Sequence, residues 1–285
     1  MNLSINTGSL REKFGDLEAL KIIKEAGFDA VDYSMCDVTE HTDMLDKDYL
    51  KKAEKIKEQL EIYNLSCHQA HAPYLFKFFD EMNLNNENYL KLVRSIEFAS
   101  IIGAKNIVIH HVKNDLPDTV SLDDYNLNFY KSLEPYAKKF NIKISVETLY
   151  KYSSVTNSYQ PLLCEPARML DFINKLNSDC FNICVDTGHL GLTGYSPGKV
   201  IRALGKGKTA VLHIHDIDYT DDTHTLPYFG KLDWNDITSA LSEVEFNGVF
   251  SMEILLNKFD NSLIKEYLAL AEKIGRYLIN KIKKV

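Results

Sequence analysis

Residues 142–148 read IKISVET, residues 181–187 read FNICVDT, and residues 210–215 read AVLHIH. Each run is short, rich in Ile or Val, and finished by a carboxylate or an imidazole. Between the first two lies EPARMLDFINKLN (165–177), with apolar residues at helical spacing;. Between the second and third lies the shorter helical stretch PGKVIRALGKG (197–207). Strand, helix, strand, helix, strand is the pattern of parallel βαβ units.

The same alternation extends in both directions. Upstream, strands are expected at NLSIN (2–6), AVDYS (30–34), LSCHQAH (65–71) and KNIVIHH (105–111). The helices between them are DLEALKIIKEAGF (16–28), LDKDYLKKAEKIKEQLEIYN (45–64), NYLKLVRSIEFASIIG (88–103) and YNLNFYKSLEPYAKKF (125–140). Asp16 is placed to cap the first, and Gly27 and Gly103 to end the first and third. Downstream come a helix at WNDITSALSEV (234–244), a strand at GVFSMEI (248–254), and a last helix from about Ser262 to the C-terminus. Several strands are apolar on both faces, as in a parallel sheet covered by helices. Eight such units predict a closed (β/α)₈ TIM barrel over residues 1–285 as one domain, a fold that typically takes about 250 residues. A doubly wound open sheet is the runner-up. It usually carries a Gly-rich turn after its first strand; here that turn reads NTGSL, which is neither a dinucleotide fingerprint nor a P-loop.

Composition narrows the class. The chain has 285 residues, 45% hydrophobic and 26% charged, an ordinary globular balance;. The N-terminus shows no basic start followed by an apolar run, and no window approaches a membrane span. Five scattered cysteines, Cys36, Cys67, Cys164, Cys180 and Cys184, read as free thiols of a reducing cytoplasm;. A formal net charge of −7 argues against a nucleic-acid surface;. The terminal KIKKV reads as the solvated end of the last helix.

In a barrel of this kind the chemistry sits at the C-terminal ends of the strands. Strand three ends in His71, four in His110 and His111, five in Glu147, and six in Asp186 with His189 three residues on. Strand seven carries His213 and His215, followed by Asp222 and His224 in the next loop, and strand eight ends in Glu253. Taken singly, each reads most simply as a hydrogen-bonded histidine or a helix cap. Together, six consecutive strands send ligand-type side chains to one mouth, where several carboxylates would repel each other unless a cation joined them. Carboxylate and imidazole ligands suit Zn²⁺, Mn²⁺ or related divalent ions. His213 and His215 alternate onto one side of the strand, so either serves as the ligand. Asp216 and Asp218 are expected to orient imidazoles from behind. Tyr74, Phe229 and Trp234 are candidate pocket walls, with ordinary packing as the alternative.

The ordered set of Glu147 in SVET, Asp186 and His189 in DTGH, His213 in HIHD and Glu253 in SMEI resembles the xylose-isomerase-like barrel superfamily over nearly the whole chain. That group includes ketose 3-epimerases, hydroxypyruvate isomerases, inosose dehydratases and zinc-dependent abasic-site endonucleases. The isomerase and epimerase branches imply one divalent metal (Zn, Mn, Mg or Co) on Glu147, Asp186, His213 and Glu253, with His215 the rival of His213. They also imply proton exchange by Glu147 and Glu253 and a substrate contact from His189. The substrate-facing candidates are His189, His71, His110 and His215. The endonuclease branch implies up to three Zn ions on nine ligands, which match His71, His110, Glu147, Asp186, His189, His213, Asp222, His224 and Glu253. Its pattern departs here: Thr-Leu follows Glu147 where Asn-Thr is usual, HIHD stands for HLND, and the loop to Asp222 is shorter. The run HTLPYFGKLDW (224–234) is more similar to uncharacterised sugar isomerase/epimerase members. The resemblance therefore implies a metal-dependent isomerase or epimerase of a sugar or sugar phosphate. The alternatives are the endonuclease-like phosphodiesterase and a non-catalytic sugar-binding barrel. Homo-oligomer formation stays open.

Overall fold

The computed structural model describes residues 1–36, 44–74, 81–113, 116–117 and 119–282. Eight parallel strands form the barrel: β1 (Leu3–Asn6), β2 (Ala30–Ser34), β3 (Ser66–His71), β4 (Asn106–Val108), β5 (Lys143–Glu147), β8 (Phe181–Asp186), β9 (Thr209–His213) and β10 (Phe250–Met252). β6 (Leu149–Ser153) and β7 (Ser158–Leu162) pair antiparallel outside it. Sequential strands are neighbours, and β1 pairs with β10 through Ile5 and Met252. The remaining seam, between β9 and β10, is closed by a parallel bridge of Ile214 to Met252. There Ile214 N donates to Ser251 O at 2.8 Å, and Glu253 N donates to Ile214 O at 2.9 Å. The fold is the predicted (β/α)₈ TIM barrel. Among the described residues no helix is long and apolar enough to cross a membrane, and the five cysteines are free thiols.

The connecting helices are α1 (Gly8–Phe14), α2 (Asp16–Glu25), α3 (Tyr49–Ile62), α4 (Glu87–Ile101), α5 (Leu122–Phe140), α6 (Pro166–Leu176), α7 (Thr187–Leu192), α8 (Pro197–Leu204), α9 (Trp234–Glu243) and α10 (Ile264–Ile282). Their apolar stripes pack on the outward faces of the strands to make the main core. Three departures from the sequence reading have local causes. The helix read from Asp16 is preceded by a further one, α1, which Gly15 ends with a φ of 74°. Gly15 rather than Asp16 is the N-cap of α2, and Asp16 instead accepts from Tyr33 Oη at 2.8 Å and pairs with Arg11. Strand β4 stops at Val108, because residues 109–112 are held by side chains of α5: Tyr130 Oη donates to Ile109 O, and the Asn126 amide pairs with both backbone groups of Val112. The hairpin β6–β7, whose Leu149 follows strand β5 after one residue, falls in a stretch to which the sequence reading assigns no element. Of the basic terminal run, residues 283–285 lie outside the described residues.

Asp216, expected behind an imidazole, instead organises the loop after β9. It is fully buried. Its Oδ1 accepts from Ile217 N at 2.9 Å and Leu232 N at 3.0 Å, and its Oδ2 from Tyr228 N at 2.9 Å and Trp234 Nε1 at 2.7 Å. Gly230 is required beside it, because a Cβ there would stand 2.3 Å from Asp216 Oδ1. Asp218 likewise touches no imidazole; it caps Thr220. Trp234 is thus packed inside and Phe229 is exposed, so neither walls the mouth.

Asp216→Asn keeps the volume and turns one acceptor oxygen into a donor facing N–H groups. A buried group left unsatisfied costs roughly 1–3 kcal/mol, so we expect a loss of about 2–4 kcal/mol in urea unfolding with an unchanged m-value. A loss under about 0.5 kcal/mol would show that the loop does not depend on this carboxylate.

Candidate metal centre at the barrel mouth

The register delivers the ligand-type residues to one level. His71, Glu147, Asp186 and His213 are the last residues of β3, β5, β8 and β9. Glu253 follows β10 directly, positioned by its N–H on Ile214 across the barrel seam. Asp186 and His213 are register partners. The threonines after Glu147 and Asp186 stitch neighbouring strand ends together: Thr148 Oγ1 accepts from Asp186 N at 2.9 Å, and Thr187 Oγ1 donates to His215 O at 2.8 Å. Asp186 also caps α7, accepting from His189 N at 2.7 Å. That cap turns His189 back toward the mouth.

Glu147, Asp186, His213 and Glu253 each offer a ligand atom within 4.8 Å of the others. His213 Nδ1 lies 2.6 Å from Glu147 Oε1, 3.1 Å from Glu253 Oε2 and 3.9 Å from Asp186 Oδ2. Three carboxylates and an imidazole, all buried, are donors of the kind that suit a divalent cation, and without one their repulsion in a low-dielectric site is costly. The residues therefore fit a metal. Of the two strand-seven histidines, His213 joins this group. His215 is fully buried, sets Nε2 3.0 Å from Asp186 Oδ1, and stacks on His224 at 3.8 Å. It supports Asp186 rather than lining the cavity as a substrate contact.

Two further groups flank the first. His71 and His110 approach each other at 3.0 Å through their Nε2 atoms, and His110 Nε2 lies 2.6 Å from Glu147 Oε2. Glu147 is thus shared, one oxygen toward each side. On the other flank His189, Asp222 and His224 come together with His215; Asp222 Oδ2 lies 3.4 Å from His189 Nε2 and 3.2 Å from His224 Nε2. Burial works to raise the Glu147 pKa, but the imidazoles of His213 and His110 outweigh it and hold the carboxylate ionised, well below its usual range. Burial opposes charge on His189 and His224. Asp186 and Asp222 outweigh it at His189, and chiefly Asp222 at His224, so both rise to about 10. His110 goes the other way, to about 3, because burial dominates. His111 does too, and it packs away from the mouth.

Several functional neighbours escaped the sequence reading. Asp32 on β2 is fully buried and sets Oδ2 3.2 Å from His213 Nε2, where it also accepts from Gln69 Nε2 at 2.9 Å. A carboxylate behind one ring nitrogen keeps the proton there and turns the other toward a metal. Asn6 Nδ2 donates to Glu253 Oε1 at 3.3 Å. Lys113 lines the inner cavity, donates to Tyr150 O at 2.9 Å, and is lowered to about 8 by burial. Gly188 in DTGH leaves room for His215, whose Cε1 would lie 1.9 Å from a Cβ there. The DYS run of β2 carried one usable signal, an acidic residue inside an otherwise apolar strand. The inner cavity, about 250 Å³, is lined by Glu147 and Glu253 of the central group, by His71 and His110 on one flank and His189, Asp222 and His224 on the other, together with Tyr74, Lys113 and Tyr150. It opens past Tyr74 and Glu253 into an outer cleft of about 660 Å³.

A family model described as xylose isomerase-like TIM barrel matches residues 20–274. The uncharacterised protein y4fM of Sinorhizobium fredii is 27% identical over 271 residues, which cover 86% of this chain and 83% of that one. The inosose isomerase of Bacillus subtilis is 21% identical over 195 residues, 66% of this chain and 64% of that one. The crystal structure of D-psicose 3-epimerase with D-tagatose from Clostridium cellulolyticum H10 superposes with a TM-score of 0.76 at 13% identity, covering 98% of this chain and 99% of that chain. At that identity the superposition speaks for the fold alone.

Asp32→Asn is expected to weaken binding of Mn²⁺ or Zn²⁺ by the 10–100-fold typical of losing a partner behind a metal-ligating histidine, measured by chelator competition. Asp186→Ala should remove the central ion altogether. Parent-like metal content in Asp186→Ala would refute the ligand assignment, and unchanged affinity in Asp32→Asn would leave Asp32 a packing residue.

Proposed function

The chain belongs to the xylose isomerase-like TIM barrel family, and from that premise we propose that it is a metal-dependent isomerase or epimerase of a sugar or sugar phosphate. The observation that carries this reading is the four-residue group of Glu147, Asp186, His213 and Glu253 beside a cavity sized for one small ring. The sugar isomerase and epimerase activities named for its relatives and structural neighbours support the same class. Glu147, Asp186, His213 and Glu253 would hold the cation, which supplies Lewis acidity toward a carbonyl and its neighbouring hydroxyl. Glu253 and Glu147 approach from strands on different sides of the barrel. One removes the proton from the carbon beside the carbonyl and the other returns it. Glu253 is the more accessible, and it lines both the inner cavity and the outer cleft. His189, with Nδ1 on Thr148 O at 3.0 Å, turns Nε2 into the cavity for a substrate oxygen. Lys113 adds an ammonium on the same wall.

A second reading rests on the sharing of Glu147 between His213 and His110, and on the His189–Asp222–His224 group. A carboxylate with one oxygen toward each of two ligand groups is suited to bridging two ions. Three groups in a row suit a polynuclear phosphoester hydrolase of the abasic-site endonuclease kind.

Turnover and metal content separate the two. On the isomerase reading, purified protein carries one divalent ion per chain, and a panel of ketoses and ketose phosphates in D₂O includes one that gains deuterium beside its carbonyl. Glu147→Gln and Glu253→Gln should each lower that turnover by roughly 10²–10⁴-fold while keeping part of the metal. Full turnover in both variants would exclude the two-carboxylate mechanism. Three zinc ions per chain with incision of an abasic-site duplex would replace the isomerase reading with the second.

A further inference from the structure

We propose that the hairpin β6–β7 forms a second carbohydrate subsite beside the mouth, taking the outer ring of a substrate in which a further sugar unit is attached to the reacting one. The inference rests on the sugar reading of the central site and names its substrate class.

The hairpin leaves the barrel one residue after Glu147. Its first tyrosine, Tyr150, lines the inner cavity, the outer cleft and a third depression of about 470 Å³ on the hairpin side. That depression is bounded by Tyr150, Tyr152, Asn157, Tyr159, Thr220 and Asp221. The inner cavity falls below the roughly 300–1,000 Å³ usual for sites of drug-sized ligands, so a two-ring substrate has to extend out of it. The outer cleft presents charged walls in that direction, from Arg11, Glu12, Asp16 and Lys52. The hairpin side presents aromatic faces. Tyr150 and Tyr159 meet edge to face at 5.0 Å, and Tyr152 and Tyr159 lie 5.3 Å apart.

The rings are anchored by their hydroxyls. Tyr150 Oη donates to Asp222 Oδ2 at 2.9 Å, Tyr159 Oη to Asp221 Oδ1 at 2.7 Å, and Tyr152 Oη to Asn157 Oδ1 at 2.6 Å. A ring held in place loses little rotamer freedom when a ligand packs on it. Tyr152 nonetheless keeps 48% of its surface exposed. A pyranose has apolar C–H faces and a hydroxyl edge, which match a fixed aromatic face rimmed by Asn157, Thr220 and Asp221. Tyr150 and Asp222 join this shelf physically to the His189–His224 flank of the central site.

The test is equilibrium binding by calorimetry to the purified full chain. The probes are D-fructose and three disaccharides carrying a glucosyl unit at different positions of fructose: turanose, leucrose and isomaltulose. We expect at least one disaccharide to bind the parent about tenfold tighter than fructose, equivalent to roughly 1.4 kcal/mol. Tyr152→Ala should abolish that preference and Tyr152→Phe should keep it, with fructose affinity the same in all three proteins. If fructose binds and no disaccharide is preferred, or if the preference survives Tyr152→Ala, the subsite is overturned while the sugar reading stands. If none of these sugars binds the parent, the subsite is overturned, and the sugar reading is decided separately by deuterium entry into the panel of ketoses and ketose phosphates.

Discussion

Negative charge concentrated at the mouth of the barrel is the constraint around which the rest of the molecule is arranged. Asp32, Glu147 and Asp186 are fully buried and Glu253 nearly so. Carboxylates brought this close in a medium of low dielectric must be matched by opposite charge or lose their ionisation. Each of them meets an imidazole: Asp32 and Glu253 meet His213, Glu147 meets His213 and His110, and Asp186 meets His215. The backbone around the mouth serves that matching. The threonine clasps hold the ends of β5, β8 and β9 level, the barrel seam places Glu253, and Gly188 lets the His215 ring reach Asp186.

Burial of a carboxylate does not by itself mark a reactive site, as Asp216 makes plain. It is as deeply buried as Glu147, but four N–H donors saturate its two oxygens and it lines neither the inner cavity nor the outer cleft. Its charge is spent on folding the loop that ends in Trp234. The mouth carboxylates differ in their partners, which are titratable rings that leave lone pairs turned toward a common space. Glu147 is the most consequential of them. Its two oxygens face different histidines, Oε1 toward His213 and Oε2 toward His110, so it links two of the candidate ligand groups.

The hairpin and the loop after β9 carry that arrangement out to the surface. Tyr150 and Tyr159 tie the two aspartates Asp221 and Asp222 to the hairpin, so the flank of the site and the shelf outside it are positioned by the same hydrogen bonds.

The sequence alone determined the barrel. Alternating short apolar runs and helical stretches identify eight βα units, and the rule that strand ends share one mouth selects His71, His110, His111, Glu147, Asp186, His189, Glu253, the pair His213 and His215, and the loop residues Asp222 and His224 from among many polar residues. These features are local or follow from topology, so a linear reading reaches them. What it left open depends on distances between residues far apart in the chain. His213 rather than His215 joins the three-carboxylate group because β9 ends at His213 and the chain beyond it turns to pair Asp216 with Thr225. Asp32 lies behind His213 only because barrel closure brings β2 across from β9, 181 residues away in sequence. Asp216 was assigned to the site on spacing, and the tertiary structure gives it to the loop, since hydrogen-bond partners are set by where the chain folds back and not by how far along it they lie.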